Sequence, residues 1–199
     1  MMLVEETSVP TEALPVQEFR DHLRLGSGFS DDTLQDSVLE SYLRAAISAV
    51  EARTGKVMFQ QTFGWKVYGW RDSAANTLPV APVSEVLEVT LEDAQETVVS
   101  VASSAYRLIS DAHAPGLRGV SGALPRIPND GSATVRFVAG YGTEWSHSPA
   151  DMRQAVLLLA AHYYVFRHET NLSEGCMPFG VVSLLERYRP LRLGAGAMS

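Results

Sequence analysis

The chain has 199 residues, of which 46% are hydrophobic and 20% are charged, and its formal net charge is −7 at pH 7. This composition is ordinary for a soluble globular protein and excludes a largely disordered chain. The acidic balance argues against a protein that grips nucleic acid by neutralising phosphates, because that mode requires clustered lysine and arginine. The single cysteine, Cys176, excludes an intramolecular disulfide and has no metal-ligand spacing around it.

The N-terminal segment has neither the basic start nor the apolar core of a secretory signal. The most apolar stretch, residues 155–166, is shorter than the roughly 20 residues that a membrane helix requires. We therefore expect no membrane association and a protein that is soluble in the cytoplasm when made. The length favours a single domain, residues 1–199.

Two helices are predicted in residues 14–57. The first follows Pro15, and its apolar face contains Val16, Phe19, Leu23 and Leu25. The second is longer and ends near residue 53. Its N-cap oxygens come from Ser30, Asp31 and Asp32. Its apolar residues recur three and four positions apart and predict a wide buried stripe: Val38, Leu39, Tyr42, Leu43, Ala46, Ile47 and Val50.

The sequence Thr54-Gly55-Lys56 could belong to a phosphate-binding loop or could mark the end of the second helix. In a phosphate loop the glycines and lysine follow a strand and precede a helix, so that amide groups at the helix N-terminus point at the anion. Here the order is reversed, because the helix comes first and a strand follows. We therefore predict that Gly55 turns left-handed and ends the helix.

Residues 58–140 change to the alternating pattern of an antiparallel sheet. The inward-facing residues of two strands are predicted to be Phe63, Trp65 and Val67 in the first, and Leu87, Val89 and Leu91 in the second. Further strands are expected at about 98–101, 106–109 and 134–139. Residues 111–131 are rich in proline and glycine and are predicted to form an exposed loop.

The last part, residues 148–189, is predicted to be helical again. Ser148 as the cap, Pro149 at the first helical position and Asp151 in the first turn start a helix that runs to about Arg167. Its buried face is predicted to contain Met152, Ala155, Val156, Leu159, Tyr163 and Phe166. A short helix follows near 181–188, and residues 190–199 form a tail. The predicted fold class is α+β, mainly α: a helical bundle formed by the N- and C-terminal helices, with a central antiparallel β insertion.

No catalytic constellation can be assembled from these residues. His162 and His168 are six positions apart, which places them on different helix faces and not at the spacing of a helical metal pair. The other histidines, His22, His113 and His147, are also expected to be solvated or hydrogen-bonded. The adjacent acids Asp31-Asp32 and Glu92-Asp93 are typical of caps and turns. We expect no enzyme activity, no cofactor and no metal.

Two groups of residues could contact partners. Trp65, Trp70 and Trp145, with Tyr141, could stack on bases, but core packing is the favoured interpretation because few basic residues lie among them. The C-terminal segment combines apolar, tyrosine and arginine residues, which are typical of interfaces. It could equally be a basic helix end that complements the helix dipole. Its members are Leu184, Leu185, Arg187, Tyr188, Arg189, Leu191 and Arg192.

Taken in order, several segments resemble the head–tail connector, or adaptor, proteins of long-tailed bacteriophages and gene transfer agents. The resemblance covers residues 14–192, and its segments are "LPVQEFRDHLRL", "YLRAAISAVEARTGKVMFQQTFGW", "LPVAPVSEVLEVT", "VRFVAGYG", "HYYVFRHE" and "PFGVVSLLERYRPLR". The chain departs from the family's usual pattern in residues 111–131 and in its glycine-alanine tail.

The resemblance implies a structural, non-enzymatic protein in the neck of a virion or phage-like particle, assembled in the bacterial cytoplasm. It implies a homo-oligomeric, dodecameric ring beneath the portal protein, joined to the stopper and tail-terminator proteins. DNA would pass through the channel of the ring without specific binding. The family's use of its chain ends implies that the C-terminal segment engages the portal, with Leu185 and Tyr188 as anchors and Arg187, Arg189 and Arg192 as polar partners. Another neck or tail component, or a small-molecule-binding enzyme, is the alternative.

Overall fold

A computed structural model describes residues 2–25, 32–167 and 177–189. The helices are α1 (Val16–His22), α2 (Asp32–Thr54), α3 (Ala150–Val165) and α4 (Phe179–Leu185). The strands are β1 (Met2–Glu5), β2 (Gln61–Val67), β3 (Ala75–Thr77), β4 (Val83–Glu92), β5 (Val98–Ser100), β6 (Tyr106–Ile109), β7 (Gly116–Gly119) and β8 (Ser132–Ala139). The predicted α+β class is confirmed. The proposed caps Ser30 and Asp31 lie outside the described residues.

The helices share one hydrophobic core. Helix α3 packs against both α2 and α4, and α1 packs against α2. The predicted stripe of α2 is confirmed for its central residues, but Val38 is 44% exposed, because the face that α1 and α3 cover is narrower than the apolar stripe. The fully buried members of this core include Phe19, Leu39, Leu43, Ala46, Val50, Met58, Met152, Ala155, Val156, Val181 and Leu185.

The end of α2 confirms the predicted helix stop. Gly55 has φ +66°, and its amide donates to the Glu51 carbonyl at 2.8 Å. The Thr54 hydroxyl donates to the Val50 carbonyl at 2.8 Å. Lys56 is buried, and its ammonium group donates to the Ala112 carbonyl. This lysine therefore ties the helix end to the sheet layer and does not reach out to a phosphate.

A second core lies between two antiparallel sheets. The larger sheet has the strand order β1-β2-β8-β4-β5, and the smaller has the order β3-β7-β6. Phe63, Trp65 and Val67 face this core as predicted. Phe63 lies opposite Phe137 in the register of β2 and β8, and their rings stack with centroids 5.7 Å apart.

Strand β4 departs from the predicted alternation. Its pairing with β8 shifts register between Val83 and Glu85 and again between Val86 and Glu88. Each shift inserts an extra residue, so the face on which the following side chains lie changes. As a result Leu87, which was predicted to face inward, is exposed, whereas Val89 is buried and the partly buried Leu91 packs against the sheet core, as predicted.

Residues 111–131 are not simply an exposed loop. They contain β7, and Leu117 and Leu124 are buried in the sheet core. A Cβ atom at Gly119 would lie 2.0 Å from the Ala123 carbonyl oxygen. The glycine content therefore reflects close backbone packing here. Strands β1 and β3 were not predicted either, because both are short and carry no strong apolar alternation.

The two layers meet where β8 leads into α3. Gly140 has φ +129° and donates from its amide to the Pro82 carbonyl at 2.9 Å, and the Gln60 amide donates to the Gly142 carbonyl at 2.8 Å. Ser148 does not cap α3 as predicted, because its hydroxyl donates to the Met58 carbonyl at 3.0 Å, and Pro149 occupies the N-cap position. The serine therefore links the start of α3 to the connection between α2 and β2.

Glu51, in the last turn of α2, is held beside this joint. Its Oε1 atom accepts a hydrogen bond from the Met58 amide at 2.7 Å. Burial raises the pKa of its carboxyl from the ordinary value of 4.5 to about 7, although the hydrogen bond from Met58 opposes the shift. The folded chain therefore holds this proton to a higher pH than the unfolded chain does.

We expect stability to fall as the pH rises from about 5 to about 8. In this window the unfolded chain has already released the Glu51 proton, whereas the folded chain must release it, at a cost on the order of 3 kcal/mol for the shift from 4.5 to about 7. Glu51→Gln keeps an oxygen acceptor for Met58 and removes the titration. Urea unfolding of both chains across this window should show a flatter pH profile for the variant. Identical profiles would contradict the assignment.

Candidate assembly surfaces

The side chains considered as candidate catalytic or metal-binding groups are either dispersed over the structure or already engaged in ion pairs and hydrogen bonds. Glu92 pairs with Lys66 at 2.7 Å, and Asp93 accepts hydrogen bonds from the Gln95 and Thr97 amides, both at 2.9 Å. The turn role predicted for this acidic pair is confirmed for Asp93, whereas Glu92 is the last residue of β4. Residues 2–25, 32–167 and 177–189 contain no group of three or more His, Cys, Asp or Glu side chains that could hold a metal ion.

The histidines divide into two kinds. His22, His113 and His147 are exposed, as predicted, and the Nδ1 atom of His147 accepts from the Glu144 amide at 3.4 Å. His162 differs, because its Nε2 atom is buried without a hydrogen-bond partner among the described residues, and its ring lies 4.6 Å from that of Phe166. His168 and Cys176 lie outside the described residues.

The tryptophans serve the folded core. Trp65 is buried between the sheets. Trp145 stacks on Phe59 with centroids 6.1 Å apart and donates from Nε1 to the Glu18 carboxylate at 2.9 Å. Trp70 is partly buried, and its Nε1 donates to the Pro125 carbonyl at 2.8 Å. The predicted packing role is confirmed for Trp65 and Trp145.

The C-terminal segment is held against α3 by its own side chains. Leu185 and Tyr188 are buried in the helical core. The Arg187 guanidinium lies over the Tyr188 ring at 4.7 Å and pairs with Asp151 at 3.2 Å. The Tyr188 hydroxyl lies 3.2 Å from the same carboxylate, and burial raises the pKa of this phenol. These contacts fix the end of the segment to the first turn of α3.

The anchor roles expected for Leu185 and Tyr188 stay a prediction, and the folded chain exposes little of either residue. Both side chains face the chain's own core, so little of either surface is free for a partner. The exposed members of the segment are Arg187 and Arg189, with Leu184 partly exposed. Leu191 and Arg192 lie outside the described residues. Apolar residues at helical spacing indicate that one face of a helix is buried. They do not show whether that face is buried in the chain's own core or against a partner.

An apolar surface that was not predicted from the sequence lies beside α4. Phe179 is 87% exposed and Val165 is 61% exposed. Next to them a groove of about 330 Å³ runs between the end of α3 and the start of α4, lined by Leu158, Ala161, His162, Phe166, Pro178 and Val181. The sequence contains one signal for this surface, because the aromatic residue Phe179 follows Pro178 directly and so lies at the start of a helix, where it faces outward.

In the described parts of the chain, no helix has both the length and the apolar character needed to cross a bilayer.

Comparison with solved structures gives close matches over almost the whole chain. One is a chain of the neck of an empty gene transfer agent particle computed with C6 symmetry; it is 47% identical, with a TM-score of 0.89 and coverage of 98% of this chain and 99% of that one. Another, from the virion of a native gene transfer agent particle, is 46% identical, with a TM-score of 0.86 and the same coverage of 98% and 99%.

A third match, from the neck of a native gene transfer agent particle computed with C12 symmetry, is 43% identical, with a TM-score of 0.84 and coverage of 98% and 99%. No family profile and no curated protein sequence matches the chain. Identity above 40% over nearly full length, together with a shared fold, confirms the resemblance stated from the sequence segments. The chain therefore belongs to the head–tail connector, or adaptor, family of long-tailed bacteriophages and gene transfer agents, and it is a structural protein of the particle neck.

Proposed function

We propose that this chain forms a dodecameric ring beneath the portal, joins the portal to the stopper and tail, and continues the DNA channel. The observation that carries the proposal is the near full-length similarity to chains in necks computed with C6 and C12 symmetry. A head-to-tail contact between identical chains closes into such a ring when its rotation fits. The protein has a structural and not a catalytic role in this arrangement.

In the proposed ring, the helices form a bundle that serves as the body of each subunit, and the sheet layer projects from it as an insertion. The acidic net charge of −7 suits a conduit, because a wall that held DNA phosphates tightly would hinder their passage. DNA therefore passes through without specific binding. The ring contacts the portal above and the stopper and tail-terminator proteins below.

The first test is native mass spectrometry of the full chain mixed with the portal assembly of the same particle. We expect a portal carrying a single added ring of this chain. An isolated chain that stays monomeric agrees with the proposal, since a ring interface can be too small to assemble without a template. A chain that never joins the portal under any ionic condition would be some other neck component.

The exposed arginines of the C-terminal segment are proposed to contact the portal. Arg189→Glu is expected to weaken portal binding about tenfold, because an arginine at an interface centre often contributes more than about 1.4 kcal/mol. Arg187 is left unchanged in this variant, because its contacts with Asp151 and Tyr188 hold the segment on α3. Deleting residues from 181 onwards is a poor test, since Val181 and Leu185 are core residues. Titration calorimetry or native mass spectrometry measures the loss.

The matched control is Arg126→Glu, which makes the same change in charge at an exposed arginine elsewhere. It should bind the portal like the unaltered chain. Equal binding by both variants would show that Arg189 does not contact the portal. Circular dichroism establishes that each variant remains folded.

A further inference from the structure

The smaller sheet carries two arginines side by side on its outer face. Arg107 of β6 lies directly opposite Arg118 of β7 in the antiparallel register. The neighbouring pair, Leu108 and Leu117, points to the opposite face, and Leu117 is fully buried in the sheet core. Since side chains alternate along a strand, both arginines point away from the core, and both are exposed.

Directly opposed like charges destabilise a strand pair. Neither guanidinium has an ion-pair or hydrogen-bond partner in the part of the chain that the structure describes. The outer face of the larger sheet differs, because there Lys66 pairs with Glu92 at 2.7 Å and Arg136 pairs with Glu6 at 2.8 Å. The cations on the outer face of the larger sheet are therefore paired within the chain. Arg107 and Arg118, on the outer face of the smaller sheet, remain available to an external anion.

The same chain presents an acidic tip at one end of the larger sheet. The tip consists of Asp93 and Glu96, in the turn between β4 and β5, and Asp130, in the turn that precedes β8. The turns are adjacent, because Glu92 pairs with Ser132 and a Cβ atom at Gly131 would lie 2.2 Å from the Glu92 carbonyl oxygen. Glu96 and Asp130 are exposed.

We propose that the Arg107–Arg118 face of one copy binds the acidic tip of the neighbouring copy. Planar guanidinium groups match carboxylates in paired hydrogen bonds. The two surfaces lie on different strands and differ in sign, so the contact is head-to-tail and can repeat around a ring. This inference rests on the proposed ring. A copy of the chain is favoured over DNA because the complementary surface is present in the chain itself, whose net charge of −7 repels phosphates.

Zero-length carbodiimide crosslinking tests the contact, because it joins an amine to a carboxylate that it already touches. The chain has two lysines, Lys56 and Lys66, so background coupling is low. Arg118→Lys keeps the charge and introduces one amine on the proposed face. Copies labelled with 14N and 15N are mixed, assembled on the portal and crosslinked, and peptide mass spectrometry then separates links between copies from links within one.

We expect the amine introduced by R118K to couple to the peptide that contains Asp93 and Glu96, or to the peptide of Asp130, in the other copy. The Lys66–Glu92 pair within one chain, at 2.7 Å, is the internal positive control. Arg24→Lys, at an exposed arginine outside the sheets, is the matched control and should give no such link. Glu96→Gln/Asp130→Asn should lose most of the crosslink, since an amide is not activated.

If a ring forms on the portal and the R118K amine joins no carboxylate of another copy, the inference is wrong and the ring proposal stands. Protection of that amine by added duplex DNA in the same ring would assign the face to DNA and would also overturn the inference. If no ring forms, the proposed function fails, and the contact between copies fails with it.

Discussion

Phe137→Ala is expected to lower the free energy of unfolding by about 3–5 kcal/mol. Phe137 is fully buried in the central strand β8, and its ring stacks on that of Phe63 at 5.7 Å. Truncation leaves a cavity between two sheets whose paired strands limit collapse into it, so the loss should lie near the upper end of the range. Urea or guanidinium unfolding, monitored by tryptophan fluorescence, measures the change.

The control for this prediction is Leu87→Ala in the neighbouring strand β4. Leu87 is 42% exposed, so its truncation should cost less than about 1 kcal/mol. The pair of variants also tests the register shifts in β4, because an uninterrupted alternation would have placed Leu87 in the core. A loss at Leu87 as large as that at Phe137 would show that the alternation is uninterrupted.

Gly140→Ala is expected to destabilise the chain by about 3 kcal/mol or more, because two penalties combine. At φ +129° the backbone adopts a conformation that residues with a Cβ atom rarely take. In addition, the new Cβ atom would lie 2.4 Å from the Phe59 carbonyl oxygen, which is backbone and cannot rotate away. Thermal and denaturant unfolding would both report the loss.

Gly69→Ala is the matched control for this substitution. A Cβ atom at Gly69 meets nothing within 4 Å, and its φ is not in the left-handed region. Its replacement should leave stability unchanged or slightly higher, because alanine restricts the unfolded chain. Equal effects at the two glycines would mean that the approach of Gly140 to Phe59 is not a structural requirement.

Local patterns predicted the long elements well. The stripe of α2 and the alternation of β2 each depend on one buried face, so periodicity identifies them, and the stop at Gly55 depends only on neighbouring residues. The predictions were wrong where contacts between residues distant in the sequence determine the structure. The shifts in β4 depend on its partner β8, and β7 forms only because β3 and β6 lie on either side of it.

The assembly surfaces were harder to predict for a related reason. Leu185 and Tyr188 have the composition of interface anchors, yet Asp151 on α3 and the helical core bind them within the chain. The opposition of Arg107 and Arg118 depends on strand register, which cannot be read from the sequence because ten residues, including a turn, lie between them. From the sequence, Phe179 is recognisable only as an apolar residue of a short helix. Its exposure depends on the fold, in which α4 buries Val181 and Leu185 instead.

The chain passes between the sheet core and the helical core three times, between β1 and α1, between α2 and β2, and between β8 and α3. Force applied to the sheet layer is therefore divided among three covalent connections instead of reaching the helices through a single tether. Peeling the layers apart would require extending all three connections together, at residues 6–15, 55–60 and 140–149. A subunit joined in this way transmits torque and tension between its layers as a stiff mechanical coupling.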